Sequence, residues 1–401
     1  MDSKMDNAAR GQEVLWNAEY IKVLLVNFMI FFSFMLLTPL LPVYLYEEFH
    51  ADKDTIGMVL FGYSILALLA RPFSGFLADS FPRKQVVLVS LVVFTFFFVG
   101  YLAAGTLLLF AVVRTLHGAP FGAVTVSNTT LAIDVLPSSR RTEGIGFYGL
   151  SNNIASAISP SVAIWIYHAT HNFQLLFWIA MLTSVAGLLI AATIKVPRRE
   201  LVKGKQTISL DRFFLTRGWS AAITMVCFSF SYGVVTTYLA IYGKDRLGID
   251  GGAGLFFLLL SLGLILSRLV GNRSLRQGHI SQSAAVGVCI SAVGYLLFAA
   301  VPHEVGYYGA ALIVGLGNGR MYPAYQNMFV NMAEHSQRGT ANSSILVAWD
   351  VGVGLGILLG GVVAEHFGYT PAFFVAWGVN VAGALGFFIH TRRDFERKRL
   401  R

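Results

Sequence analysis

Arg71-Pro72-Phe73-Ser74-Gly75-Phe76-Leu77-Ala78-Asp79-Ser80-Phe81-Pro82-Arg83-Lys84 connects two long apolar runs, 56–78 and 86–104. A run of about 20 apolar residues spans the hydrocarbon core of a bilayer, so this stretch reads as the tight turn between two membrane-spanning helices. Its chemistry suits that place. Gly75 permits close contact with another helix. Asp79 can accept hydrogen bonds from the free amides of a neighbouring helix N-terminus. Arg83 and Lys84 anchor the turn at the membrane edge.

Composition carries the same reading along the chain. The 401 residues are 55% hydrophobic and 13% charged, about half the charged fraction of an ordinary soluble domain. Glycine, at 40 residues, is placed among the apolar runs, where small side chains let helices approach in lipid. The net charge of +9 does not point to nucleic acid, because the basic residues fall in short gaps between apolar segments. Cys227 and Cys289 lie inside apolar segments without metal-ligand spacing, so no disulfide framework, zinc site or other metal is indicated. Residues 1–19 are polar and no small-residue cleavage site follows the first apolar run, which predicts a retained first helix.

Twelve spans are predicted, at 20–46, 56–78, 86–104, 107–130, 144–167 and 173–194, then at 220–242, 254–271, 284–301, 306–332, 340–364 and 371–390. The chain is therefore expected to be an all-α membrane protein. Its predicted parts are a cytoplasmic N-terminus (1–19), a six-helix bundle (20–194), a cytoplasmic linker (195–217), a second six-helix bundle (218–390) and a basic cytoplasmic tail (391–401). With both termini inside, the inner side receives Arg83, Lys84, Arg140, Arg141, Arg273, Arg276, Arg338, the basic linker and the tail. The outer loops receive only Lys53, Lys244 and Arg246. That asymmetry follows the positive-inside rule.

The two halves also align internally. Placing Arg141 on Arg338 puts Asn153 on Asp350, Ala155 on Gly352, Ser159 on Gly356 and Ala163 on Gly360. Small residues thus recur every fourth position on one face of the fifth and eleventh helices, as close packing in lipid requires. The pattern suggests duplication.

The stretch from Gly75 to Lys84 resembles the signature loop of the major facilitator superfamily, Gly-x-Leu-Ala-Asp-Arg-x-Gly-Arg-Arg, with Pro82 in place of the second glycine. Arg114-Thr115-Leu116-His117-Gly118 is similar to that superfamily's Arg-x-x-Gln-Gly motif, with His117 where glutamine is usual. Gly146, Ala155, Ser159 and Pro160 look like a reduced form of the glycine-proline motif of its drug and proton antiporters. The resemblance implies two pseudo-symmetric six-helix bundles around a cavity that opens alternately to either side. It implies further that Asp79 meets the eleventh helix near Gly339 and that Arg83 pairs with Asp134 on the fourth. With Gly75, these residues would form a conformational gate holding one access state.

An ionisable side chain at bilayer depth costs about 2.5–3.5 kcal/mol on insertion scales, so each one needs a partner, a wet cavity or a function. Arg114, Arg320 and Asp350 are the three such residues singled out, and His117 lies one turn from Arg114. Arg114 or Arg320 is expected to attract an anionic group of the substrate, and Asp350 to bind a proton or a cationic group. The plainer reading is a structural ion pair between Arg320 and Asp350. Asn27, Tyr63, Asn152, Asn153, Tyr232 and Thr236 are candidate polar residues of the same cavity. They could equally join helices by hydrogen bonds. Gly146, Pro160, Gly352, Gly356 and Gly360 are assigned to helix packing, while Pro39, Pro120, Pro160 and Pro323 interrupt helices expected to face the cavity.

No catalytic motif and no Walker loop occurs in the chain. The expected function is secondary active, proton-coupled export of a small organic molecule. The setting would be a bacterial plasma (inner) membrane, with the chain a monomer surrounded by lipid and carrying no cofactor. The rival is uptake of a sugar, organic anion or peptide-like solute. A membrane-embedded receptor or enzyme is a distant alternative.

Overall fold

Lipid offers the backbone no hydrogen-bond partners, so a spanning segment must satisfy its own N–H and C=O groups. The chain solves this with helices throughout. In the computed structural model, which describes residues 14–38, 40–51, 53–196, 213–249 and 253–400, no strand forms among those residues. Twelve α-helices of 18 to 30 residues are present among them. They are α1 Ala18–Leu37, α2 Lys53–Ser80, α3 Arg83–Ala103, α4 Leu107–Val135, α5 Arg141–Thr170 and α6 Phe173–Thr193. The second set is α7 Trp219–Leu247, α8 Ala253–Arg276, α9 Ile280–Ala300, α10 Glu304–Met332, α11 Arg338–Phe367 and α12 Tyr369–Gly386.

Nine helices among the described residues are long and apolar enough to cross a membrane by length and composition alone. A further apolar stretch, Gly254–Arg268, lies in α8. Much of α10 is buried, including Asn318, Gln326 and Asn327, and polar residues that face protein escape the cost of facing lipid.

Side-chain caps define several helix starts: Asn17 accepts from the Tyr20 amide at 2.8 Å, Thr106 from Leu109 at 3.3 Å and Asn172 from Leu175 at 3.1 Å. The predicted first span, 20–46, is not continuous. It stops at Leu37 and resumes as Leu41–Phe49 with Pro42 in its opening turn, where the missing proline N–H is not needed. Pro39 lies outside the described residues. Pro72, Pro120, Pro160 and Pro323 all sit inside continuous helices. Most of the expected linker, 197–212, also lies outside the described residues. Beyond α12 the chain passes through a π-turn, Phe387–Thr391, into a short helix, Arg392–Lys398.

Two compact units emerge: residues 1–213 with 336–343, and residues 214–335 with 344–401. Each packs its helices in the same pairs. In the first unit α2 lies on α4, α3 on α4 and α6, and α1 on α5 and α6. In the second, α8 lies on α10, α9 on α10 and α12, and α7 on α12.

The register that superposes Arg141 on Arg338 extends into these contacts at single-residue level. A Cβ on Gly118 would strike the Tyr63 carbonyl, and one on Gly122 the Ala67 carbonyl. At the matched positions, a Cβ on Gly315 would strike the Leu260 carbonyl, and one on Gly319 would meet the Leu264 carbonyl at 2.8 Å. Gly352, Gly356 and Gly360 lie against α7 in the same way, facing Val226, Phe230 and Val234. In α5, Ala155, Ser159 and Ala163 are fully buried.

These contacts predict that Gly118→Ala destabilises the protein by about 1–3 kcal/mol, the usual range for overpacking. A Cβ on Gly105 would meet nothing within 4 Å, so that position should accept alanine without loss. Thermal unfolding in detergent separates the two, and equal midpoints would show that α2 can move away from α4.

Candidate functional site

Arg114 sits within α4 and is 4% exposed. Its guanidinium carbon lies 4.0 Å from the centre of the Tyr63 ring and 5.6 Å from that of Phe34, a cation–π arrangement. Nη1 donates to the Tyr101 hydroxyl at 3.2 Å, while Nε is buried without a hydrogen-bond partner. Tyr101, on α3, also lies 2.8 Å from Nδ1 of His117. Its oxygen accepts from arginine, so its proton is available to the imidazole, which favours the tautomer with hydrogen on Nε2. His117 is fully buried among the rings of Phe94, Phe97 and Phe98, at 4.5, 5.3 and 5.0 Å. Arg114, His117 and Tyr63 therefore form one cluster inside the first unit, joined by Tyr101. Among the described residues no carboxylate is paired with Arg114.

A second cluster lies at the α2–α3 turn. Asp79 accepts from the Gly339 and Thr340 amides, both at 2.9 Å, and from the Thr340 hydroxyl at 3.0 Å. It thereby caps the opening turn of α11. Arg83 donates to Asp79 at 3.2 Å and to the Ala78 carbonyl at 3.2 Å, and forms an ion pair with Asp134 at the end of α4. Arg338 reaches the same Asp134 at 3.3 Å. Charges alternate along Asp79, Arg83, Asp134 and Arg338. Gly75 is required beneath them, since a Cβ there would lie 2.9 Å from the Gly339 carbonyl and 2.8 Å from Ser343.

The remaining candidates are dispersed. Asn27 is buried and donates from α1 to the Tyr148 carbonyl at 3.3 Å and to Ser151 at 2.8 Å on α5, so it joins two helices. Asn152 accepts from Ser156 one turn along at 3.3 Å, and Nδ2 of Asn153 is buried without a hydrogen-bond partner. Gly146 is buried in α5, and Pro160 is half-buried on the same helix. In the second unit, Thr236 bonds back to the Tyr232 carbonyl at 2.7 Å, and the Tyr232 ring packs on Trp349 at 5.3 Å. Arg320 and Asp350 are half-buried on α10 and α11, and Nε of Arg320 is buried without a hydrogen-bond partner.

Four further residues matter here that the motifs do not single out. Tyr101 has no sequence signature and is recognised only from its position between Arg114 and His117. Arg338 reads in sequence as a topology charge and as the internal counterpart of Arg141, not as a partner of Asp134. Arg71 and Arg268 are buried arginines of α2 and α8, 6% and 5% exposed, and they occupy matched positions in the register that superposes Arg141 on Arg338. Extending that internal alignment is enough to find the last two.

The Major Facilitator Superfamily profile matches residues 23–330 and 278–401, and the chain belongs to that family. It is a multi-pass membrane transporter of small molecules, not an enzyme. Among its relatives is the staphylopine export protein of Staphylococcus aureus (strain Mu50 / ATCC 700699), 23% identical over 369 residues that cover 89% of this chain and 92% of the relative. The quinolone resistance protein NorA of the same strain is 25% identical over 377 residues, again covering 89% and 92%. Two crystal structures share the fold. The human organic anion transporter MFSD10 (TETRAN) has a TM-score of 0.79 at 15% identity, covering 92% of this chain and 100% of that one. FucP in its outward conformation has a TM-score of 0.77 at 14% identity, covering 97% and 100%.

Asp134 is the acid shared by two buried guanidiniums, so Asp134→Ala should cost about 3–5 kcal/mol, the range for breaking a buried pair. Asp79→Ala should cost less, about 0.5–2 kcal/mol for the lost cap plus its share of Arg83. Chemical or thermal unfolding of both variants tests that order, and a larger loss for Asp79→Ala would reverse the assignment of the network's centre.

Proposed function

We propose that this transporter is a proton-coupled exporter of a small organic molecule bearing an anionic group. It would act as a monomer by alternating access in a bacterial plasma membrane, with both termini in the cytoplasm. The observation that carries the reading is Arg114. A guanidinium held by neutral aromatic and phenolic partners keeps its attraction for an anion, because the surrounding rings provide no countercharge and little water. A purely structural role would be served at less cost by an apolar residue. Both relatives named above are exporters or resistance proteins by name, which supports the outward direction.

In this reading Asp350 carries the coupling proton, and His117 shares the hydrogen-bond chain that positions Arg114. The Asp79, Arg83, Asp134 and Arg338 network holds one access state, since four alternating charges and a capped helix must separate before it is released. Basic residues at the inner ends of the helices set the orientation.

Purified protein in liposomes with an imposed proton gradient tests direction and coupling together, using a quinolone and staphylopine as first probes. Export driven by proton entry is expected, and inward accumulation that collapses with the gradient would overturn it. Asp350→Asn should abolish gradient-driven transport while leaving counterflow exchange partly intact; equal loss of both removes the coupling role. Arg114→Gln should lower transport of an anionic probe at least tenfold, about 1.4 kcal/mol, and affect a cationic probe less. Equal loss for both probes would make Arg114 structural.

A further inference from the structure

The C-terminal segment sorts its charges by sign. Asp394 accepts from Ser220 in the first turn of α7 at 2.7 Å and from Lys398 at 2.9 Å. Glu396 accepts from Ser281 in the first turn of α9 at 2.7 Å and pairs with Arg399 at 3.1 Å. Each acid is thus drawn to the positive end of a helix dipole. Phe395, between them, is 1% exposed, and the Leu400 amide donates to the Asn331 carbonyl at the end of α10 at 2.9 Å. The segment is stapled across the ends of three helices of the second unit.

Three of its arginines are not engaged in this way. Arg392, Arg393 and Arg397 are exposed, and none of them pairs with an acid among the described residues. Leu385, Ile389, Arg393 and Arg397 recur at four-residue spacing, and the first two are 56% and 68% exposed. One outer face therefore changes from aliphatic to guanidinium within a single turn. Trp219, 46% exposed, lies beside that boundary with its ring 5.3 Å from His390. Aliphatic side chains, then an amphipathic aromatic, then cations is the order in which acyl chains give way to headgroups.

We propose that Arg392, Arg393 and Arg397 form a binding surface for anionic phospholipid headgroups. The occupant follows from charge complementarity and from the apolar face that continues directly into the basic one. The surface does not depend on the direction of transport.

The test uses full-length protein in nonionic detergent doped with phosphatidylglycerol or phosphatidylcholine. Phosphatidylglycerol should raise the unfolding midpoint by several degrees over phosphatidylcholine, and about 0.5 M salt should erase the difference by screening. Each guanidinium near an anionic surface contributes roughly fivefold in affinity. The triple variant Arg392→Gln/Arg393→Gln/Arg397→Gln should therefore bind phosphatidylglycerol on the order of 100-fold more weakly, with its midpoint in phosphatidylcholine unchanged. Unaltered phosphatidylglycerol binding by the variant would overturn the proposal, as would an equal shift from inorganic phosphate or a short duplex DNA. Should the variant not fold, native mass spectrometry of the unaltered protein decides: preferential retention of phosphatidylglycerol is expected, and retention of both lipids in equal number excludes a headgroup site.

Discussion

Backbone contact between helices is the constraint on which this structure rests. In lipid the hydrophobic effect does not drive helices together, so close packing must do so, and close packing needs positions without side chains. Gly118 and Gly122 bring α4 onto α2 at the carbonyls of Tyr63 and Ala67, and Gly315 and Gly319 bring α10 onto α8 at Leu260 and Leu264. These glycines have ordinary helical backbone and are needed for space, not for conformational freedom. The same solution at matched positions in both units is the strongest physical sign that the chain arose by duplication.

Tight packing of this kind makes polar groups inside the bundle expensive, and the protein handles them in two ways. At the α2–α3 turn, acids and arginines alternate and the free amides of α11 take the remaining lone pairs of Asp79. Inside α4 the solution is incomplete: Arg114 has ring faces and one phenolic hydroxyl, and its Nε is left over. Among the described residues, the turn network pairs each arginine with an acid, whereas Arg114 has no carboxylate.

At the C-terminus the arrangement is reversed, with acids turned toward helix N-termini and cations turned outward. Here dipole and bilayer act on one short segment from opposite sides. Anchoring it there would tie the ends of α7, α9 and α10 to one surface without touching the interior chemistry.

Sequence by itself determined the helical class, the approximate spans and the family, because a bilayer imposes length and polarity on every segment that crosses it. The alignment of Asn153 with Asp350 was also legible, as were Asp79 and Arg83, which share one motif and touch across a turn; Asp134, on α4, was expected only through the family resemblance. Tertiary structure alone decided that Arg338 shares Asp134. Tyr101 entered the Arg114 cluster only through the packing of α3 on α4. Periodicity records which residues face inward, but the partner of a buried polar atom depends on the rotation of each helix about its own axis, which is set by side chains distant in the chain.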